Sequence, residues 1–361
     1  MYFDPRPKTC REDLYNRERE LREFKLALKV APLVAVTGIR RMGKTSLILV
    51  GLSDKPSVII DLRGVSQSRM ALYKRIEHAL NDFFKSNRNI WSGVRDKLKI
   101  ISGVEVFGVG VSLSWGKEKA DLATLLKSLE EYGVIIVFDE IQYVRGPIGK
   151  ELMEAIAYLY DHSELRIVVS GSEVGLLYDF LGVENPRAPL YGRYFREVRL
   201  KPFTEEQSLD FLIKGFKQYG LEVPDNILRE AVEMLDGIVG WLVYFGLKYI
   251  ENRDGGDIVR EIVDEASKLS FEEFMKFAEK HIPATKRLIE AAKAIALGEN
   301  TWTKIKQFLE KREKRTIPDM SLSRILKTLQ KSSYVDKRVE GRNVYYTITD
   351  PTLRYALRQL T

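Results

Sequence analysis

Gly38, Gly43, Lys44 and Thr45 stand at the spacing Gly-x-x-x-x-Gly-Lys-Thr inside VAVTGIRRMGKTSL, and that spacing can hold a phosphate chain. The glycines let the backbone turn tightly, so successive N–H groups of Ile39, Arg40, Arg41, Met42 and Gly43 converge on one anion. The N–H groups of Lys44, Thr45 and Ser46 open a helix whose dipole adds to that field. Lys44 would reach the β- and γ-phosphates of a nucleotide, and the Thr45 hydroxyl would ligate Mg²⁺. Downstream, VIIVFDE ends an apolar strand in Asp139 and Glu140. Asp139 would hold Mg²⁺ through water, and Glu140 would polarise an attacking water. Arg40 and Arg41 occupy positions that the phosphate-loop pattern leaves free. On an exposed rim they would add positive potential or pair with an acid of another domain or subunit.

The elements that must position these residues follow from periodicity. Asn16 is expected to cap a helix to about Lys29, followed by a buried strand Leu33 to Thr37, the loop, and a helix from Lys44. SVIIDL (57–62) reads as a second buried strand and Met70 to Phe84 as an amphipathic helix. VEVFGVGVSLS (104–114) reads as an inserted hairpin. VIIVFDE and LRIVVSGS supply the third and fourth core strands, on either side of a helix near Lys150 to Tyr160. Buried strands alternating with helices imply a parallel sheet covered on both faces. After Leu200 the strands stop. Thr204-x-x-Gln207 and Ser270-x-x-Glu273 read as capping boxes opening helices of an all-helical region. From Pro283, three helices and two strands turning at Gly341 precede a final helix capped by Asp350-Pro351.

The chain has 361 residues, 45% hydrophobic and 30% charged, enough for two or three packed domains. It has one cysteine, Cys10, so no internal disulfide. With no long uncharged apolar run and no apolar leader, the expectation is a cytoplasmic protein that is not integral to a membrane. The net charge is +7, but residues 283–361 carry 17 Lys/Arg against 8 Asp/Glu, a local net of +9. Such asymmetry points to a separate C-terminal domain with a polyanionic or acidic partner.

DLYNREREL, GIRRMGKTSL, FDEIQ, VVSGSEVGLL, PLYGR followed by LKPF, GIVGWLVYFG and the terminal YTITDPTLRYAL together resemble the archaeal ATPase family, a branch of the AAA+-related STAND ATPases. The resemblance spans nearly the whole chain. It implies an α/β P-loop NTPase core with an AAA+-like parallel sheet at 1–200, a helical lid at 201–282 and a winged-helix domain at 283–361. It implies ATP or ADP with Mg²⁺ as ligands. It makes Ser170 or Ser172 a sensor of the γ-phosphate, with a simple strand-ending turn as the alternative. Arg193 would stand near the γ-phosphate in cis or from a neighbouring copy, with a surface salt bridge as its alternative. Leu14, Tyr15 and Arg17 match the adenine-contacting segment, although for Tyr15 simple packing under the sheet is the reading to prefer. An arginine pair in the loop is a mark of the family. The lid motif departs from the family at Val239, where a proline is usual.

In the C-terminal region the order is helix, strand, basic turn, strand, that of a winged helix. Leu322, Ile325, Leu326 and Leu329 form the apolar face of its recognition helix. Arg324, Lys327 and Lys331 lie off that face, and Arg342 sits at the wing tip, all candidate contacts to duplex DNA. The leading expectation is therefore a Mg-ATP switch whose nucleotide state repositions a DNA-binding winged helix. The alternative is a slow-turnover STAND scaffold, capable of self-association, whose winged helix docks a protein partner.

Overall fold

The computed structural model describes residues 1–65, 67–252 and 257–360. The chain divides into two compact units. One comprises Lys8–Gly38 and Lys44–Leu200; the other comprises Met1–Pro7, Ile39–Gly43 and Lys201–Thr361.

The first unit is built on a five-stranded sheet. Helix α1 (Glu18–Val30) leads into β1 (Leu33–Thr37), a strand buried at every position. Asn16 does not cap α1: it sits in the left-handed region at φ 49°, and Arg17 takes the cap position without a side-chain bond. Helix α2 (Lys44–Gly51), strand β2 (Ser57–Asp61), and helices α3 (Arg69–Ser86) and α4 (Arg88–Lys99) follow. Strands β3 (Val104–Phe107) and β4 (Gly110–Leu113) form a separate antiparallel hairpin. Helix α5 (Leu122–Lys127) and a 3₁₀ turn then lead into β5 (Ile135–Asp139), α6 (Gly146–His162), β6 (Arg166–Gly171) and α7 (Val174–Leu181). The continuous apolar runs of β1, β5 and β6 suit strands covered on both faces.

A fifth strand, β7 (Arg196–Arg199), was not expected from its sequence, Arg-Glu-Val-Arg. It pairs with β1, buries only Val198, and anchors Glu197 through Thr37 (2.5 Å) and Tyr178 (2.8 Å). The order is β2-β5-β6-β1-β7, and every pairing is parallel. The registers place Asp61 beside Asp139, and Thr37 beside Gly171. The carboxyl ends of β1, β5 and β6 therefore finish at one edge, where doubly wound folds keep their ligands.

In the second unit a capping box from Thr204 and Gln207 opens α8 (Glu205–Lys217), followed by α9 (Asp225–Leu235) and α10 (Val239–Glu251). Phe3 is fully buried against Phe211 and Phe216, which ties the N-terminal residues to α8. Helix α11 runs unbroken over Ile258–Glu279, so Ser270 and Glu273 are mid-helix residues, not a capping box. Buried Ser270 instead exchanges a hydrogen bond with Thr352 (2.5 Å). Helices α12 (Thr285–Ala296), α13 (Trp302–Glu313) and α14 (Asp319–Lys331) precede strands β8 (Val335–Glu340) and β9 (Asn343–Ile348), an antiparallel pair, and helix α15 (Pro351–Gln359). Leu322, Ile325, Leu326 and Leu329 of α14 are buried in a core shared with α11, α12, α13 and α15. Among the described residues no helix is long and apolar enough to cross a membrane.

Candidate nucleotide site

The turn from β1 to α2 uses unusual backbone at three positions: Gly38 (φ 149°), Arg41 (φ 66°) and Gly43 (φ 84°). Lys44 is buried, with Nζ 3.0 Å from the Gly38 carbonyl and 3.7 Å from Glu140 Oε1. Thr45 Oγ1 donates to Asp139 Oδ2 at 2.8 Å. Ser170 Oγ donates to Asp139 Oδ1 and accepts from the Glu140 N–H (3.1 Å). Glu140, in the left-handed region at φ 57°, accepts from the Ser172 N–H (3.2 Å) and Oγ (2.8 Å), and from Gln142 Nε2. Gln142 also donates to Ser172 Oγ at 3.0 Å, while its buried Oε1 has no hydrogen-bond partner among the described residues.

These surroundings treat the two carboxylates differently. Burial is the largest influence on Asp139 and holds its pKa above the ordinary value, although Ser170 and Thr45 oppose it. Burial acts upward on Glu140 too, but the Lys44 ammonium and the Gln142 and Ser172 donors outweigh it, so its pKa is lowered. A hydroxyl and a buried carboxylate 2.8 Å apart form a hard oxygen pair of the kind that Mg²⁺ accepts alongside phosphate oxygens. The residues present fit a magnesium nucleotide.

The loop segment Ile39–Gly43 is grouped with the second unit, and its contacts there are specific. Arg41 makes a bidentate pair with Glu273 (3.0 and 2.6 Å), and its guanidinium lies 4.0 Å from the centre of the Trp241 ring. Arg40 donates to the Tyr334 hydroxyl at 3.0 Å and lies 3.5 Å from Glu273. The Gly240 N–H donates to the Arg41 carbonyl at 2.9 Å, and a Cβ on Gly240 would come within 2.5 Å of Arg41 Cβ. Val239, at the position where the family usually has proline, is the first residue of α10, a place that tolerates either.

A family model described as an ATPase domain predominantly from Archaea matches residues 14–245. The chain belongs to that family. A second model, the C-terminal winged helix-turn-helix domain of MCM proteins, matches residues 283–348 of the ATPase. Among solved structures, it resembles the Walker-type ATPase PABY2304 of Pyrococcus abyssi, with 36% identity over 99% of this chain and 100% of that one, at a TM-score of 0.82. The ORC2 protein of Aeropyrum pernix, solved in ADPNP–ADP complexes, shares the fold at 14% identity, 99% and 96% coverage and a TM-score of 0.56. No curated protein matches the chain. The protein is thus a P-loop ATPase with a winged-helix domain.

The remaining candidate residues have these surroundings. Arg193 pairs with Asp161 (2.5 and 3.0 Å) and lies near the Tyr160 ring, the salt bridge of its alternative reading. Arg17 is buried and pairs with Glu20 at 2.9 Å, while Tyr15 is half-buried. Met42 is fully buried, and Ser46 Oγ accepts from the Lys8 N–H at 3.0 Å. In the winged helix, Arg324, Lys327 and Arg342 are exposed and Lys331 is half-buried. Two further residues bear on the site without a motif to mark them. Gln142 stands in FDEIQ but carries no periodic or charge signal of its own. Arg63, just past β2, is clamped by Asp61 (2.9, 3.0 and 2.6 Å) beside Asp139 in the sheet.

Proposed function

We propose that this ATPase is a Mg-ATP switch in which the state of the phosphate loop repositions a DNA-binding winged helix. The division into a core at 1–200, a lid at 201–282 and a winged helix at 283–361 belongs to this reading. The observation that carries it is the pairing of Arg41 with Glu273 and of Arg40 with Tyr334. Both side chains come from the loop that would hold the triphosphate.

Lys44 would neutralise the phosphate chain, trading its present Gly38 and Glu140 neighbours for phosphate oxygens. The Thr45 hydroxyl and Asp139 would hold the metal, and bound Mg²⁺ would supply positive charge at the β- and γ-phosphate oxygens. Glu140, ionised and oriented by Ser172 and Gln142, would orient the attacking water and accept its proton. Ser170 would hold Asp139 in place, which is how a γ-phosphate sensor could reach the metal side. A change in the loop would then act on α11 through Glu273 and on the residue preceding β8 through Tyr334.

The local net of +9 in residues 283–361 supports nucleic acid as the partner. ATP turnover measured with and without duplex DNA tests the reading. Stimulation or repression by DNA is expected, with binding that weakens steeply with salt. Absence of DNA binding at low salt, with nucleotide retained through purification, would transfer the winged helix to a protein partner.

A further inference from the structure

The winged-helix region contains an open cleft of about 990 Å³, formed where the start of α12, the end of α13 and the start of α14 meet. Its charged lining is Lys286, Arg287, Arg312, Arg315 and Arg324 against one carboxylate, Glu313. That carboxylate is already occupied: Arg287 grips it at 2.5 and 2.7 Å and Arg315 at 2.8 Å. Arg287 also reaches Ser321 Oγ at 3.0 Å, which fixes the cleft wall to α14. Lys286 makes no ion pair among the described residues, and the hydrogen-bond contact of Arg324 is to Met320 sulfur at 3.5 Å. Arg312 has Glu290 at 3.7 Å and remains half-exposed.

We propose that this cleft seats the phosphodiester backbone of duplex DNA. The inference rests on the reading that the winged helix binds DNA, and it names the strand-gripping site. Three features select a phosphate strand. The cleft keeps a surplus of cations after its internal pairs are satisfied, and most of them are guanidinium groups, whose fork matches phosphate oxygens. Among the described residues no aromatic side chain lines it, whereas unpaired bases are held by stacking and protein partners by aromatic anchors. Arg324 belongs both to the cleft and to the exposed row that continues through Lys327 on α14. A strand leaving the cleft therefore meets the recognition helix directly. Cleft residues set register and affinity, and the outer face of α14 is left to read base edges.

The test uses the full chain and a fluorescein-labelled duplex of mixed sequence, with affinity measured by anisotropy over a KCl series. Lys286→Glu combined with Arg312→Gln is compared with Lys327→Glu and with the parent. The parent should bind, with log K falling linearly in log salt. The cleft double variant should lose at least about tenfold in affinity, and its salt slope should become shallower by about two. Lys286→Glu alone, an exposed change in the first turn of α12, should show the same direction and guards against misfolding of the double variant. If both cleft variants bind as the parent does while Lys327→Glu loses affinity, the cleft assignment falls and DNA binding by the outer face stands. If the parent does not bind the duplex at low salt, the DNA reading and the cleft assignment fall together.

Discussion

Arg41 and Glu273 lie 232 positions apart in sequence and form a bidentate pair at 3.0 and 2.6 Å. Arg41 holds a left-handed backbone conformation at φ 66°, which costs a non-glycine residue about 1 kcal/mol. The fork on Glu273, the Trp241 face and the Gly240 N–H together offset that cost. The Arg41 and Arg40 cations hold the Glu273 carboxyl below its usual pKa, against the upward effect of burial. Removing either partner should release the loop from α11. Arg41→Ala and Glu273→Ala are each expected to change turnover several-fold, and the double variant should resemble the singles, with a coupling of about 1 kcal/mol. Strict additivity in the ATPase assay would show that the two residues act on turnover independently of each other.

Gln142 is expected to act as the positioning residue for Glu140. Its amide donates to Glu140 and to Ser172, and the residue is buried. Gln142→Leu keeps the volume and removes both donors. Turnover should fall by about tenfold or more, while ATP affinity changes little, because the lost interactions serve the water-orienting carboxylate and not the phosphates. A variant that loses affinity and keeps its maximal rate would assign Gln142 to ground-state binding.

The two signature residues should separate in the opposite sense from each other. Lys44→Ala removes the buried cation at the phosphate loop's helix start and should abolish nucleotide binding. Glu140→Gln preserves the size of a side chain that bonds Ser172, so binding should survive while hydrolysis drops by about 10²-fold or more. Equilibrium binding of a fluorescent ATP analogue, run beside a phosphate-release assay, distinguishes them. Normal hydrolysis by Glu140→Gln would remove that residue from the water-activating role.

The parts of this molecule that could be read ahead of the structure are those whose cause is local. β1, β5 and β6 are unbroken apolar runs, and the loop motif requires a strand before it and a helix after it, so the sheet edge ending in Asp139 and the helix opening at Lys44 were legible. β7 was not, because one buried valine among charges has no period, and Glu197 is placed by Thr37 and Tyr178 from other elements. Ser270 and Glu273 imitate a helix start in sequence. Only the fold reveals that one bonds Thr352 and the other Arg41. The arginine pair suggested an acidic partner, but nothing in the chain could say which acid.

Glu313 offers a pH readout independent of ATP. Hydrogen bonds from Arg287, then from Arg315, pull its carboxyl pKa down to about 2, with burial opposing them. A carboxyl depressed in the folded state stabilises it fully above the unfolded value near 4.5, and that contribution fades as pH falls toward 2. The winged-helix region should therefore lose stability progressively across that window. Glu313→Gln removes the titrating group. It should cost about 1 kcal/mol near neutral pH, where the ionised pairs are intact, and flatten the acid dependence between those two values. Because Glu313 joins the end of α13 to Arg287 on α12 and to Arg315 before α14, the loss should register in hydrogen exchange of these helices before it reaches the sheet unit. Identical acid profiles for Glu313→Gln and the parent would show that other carboxylates set the acid limit.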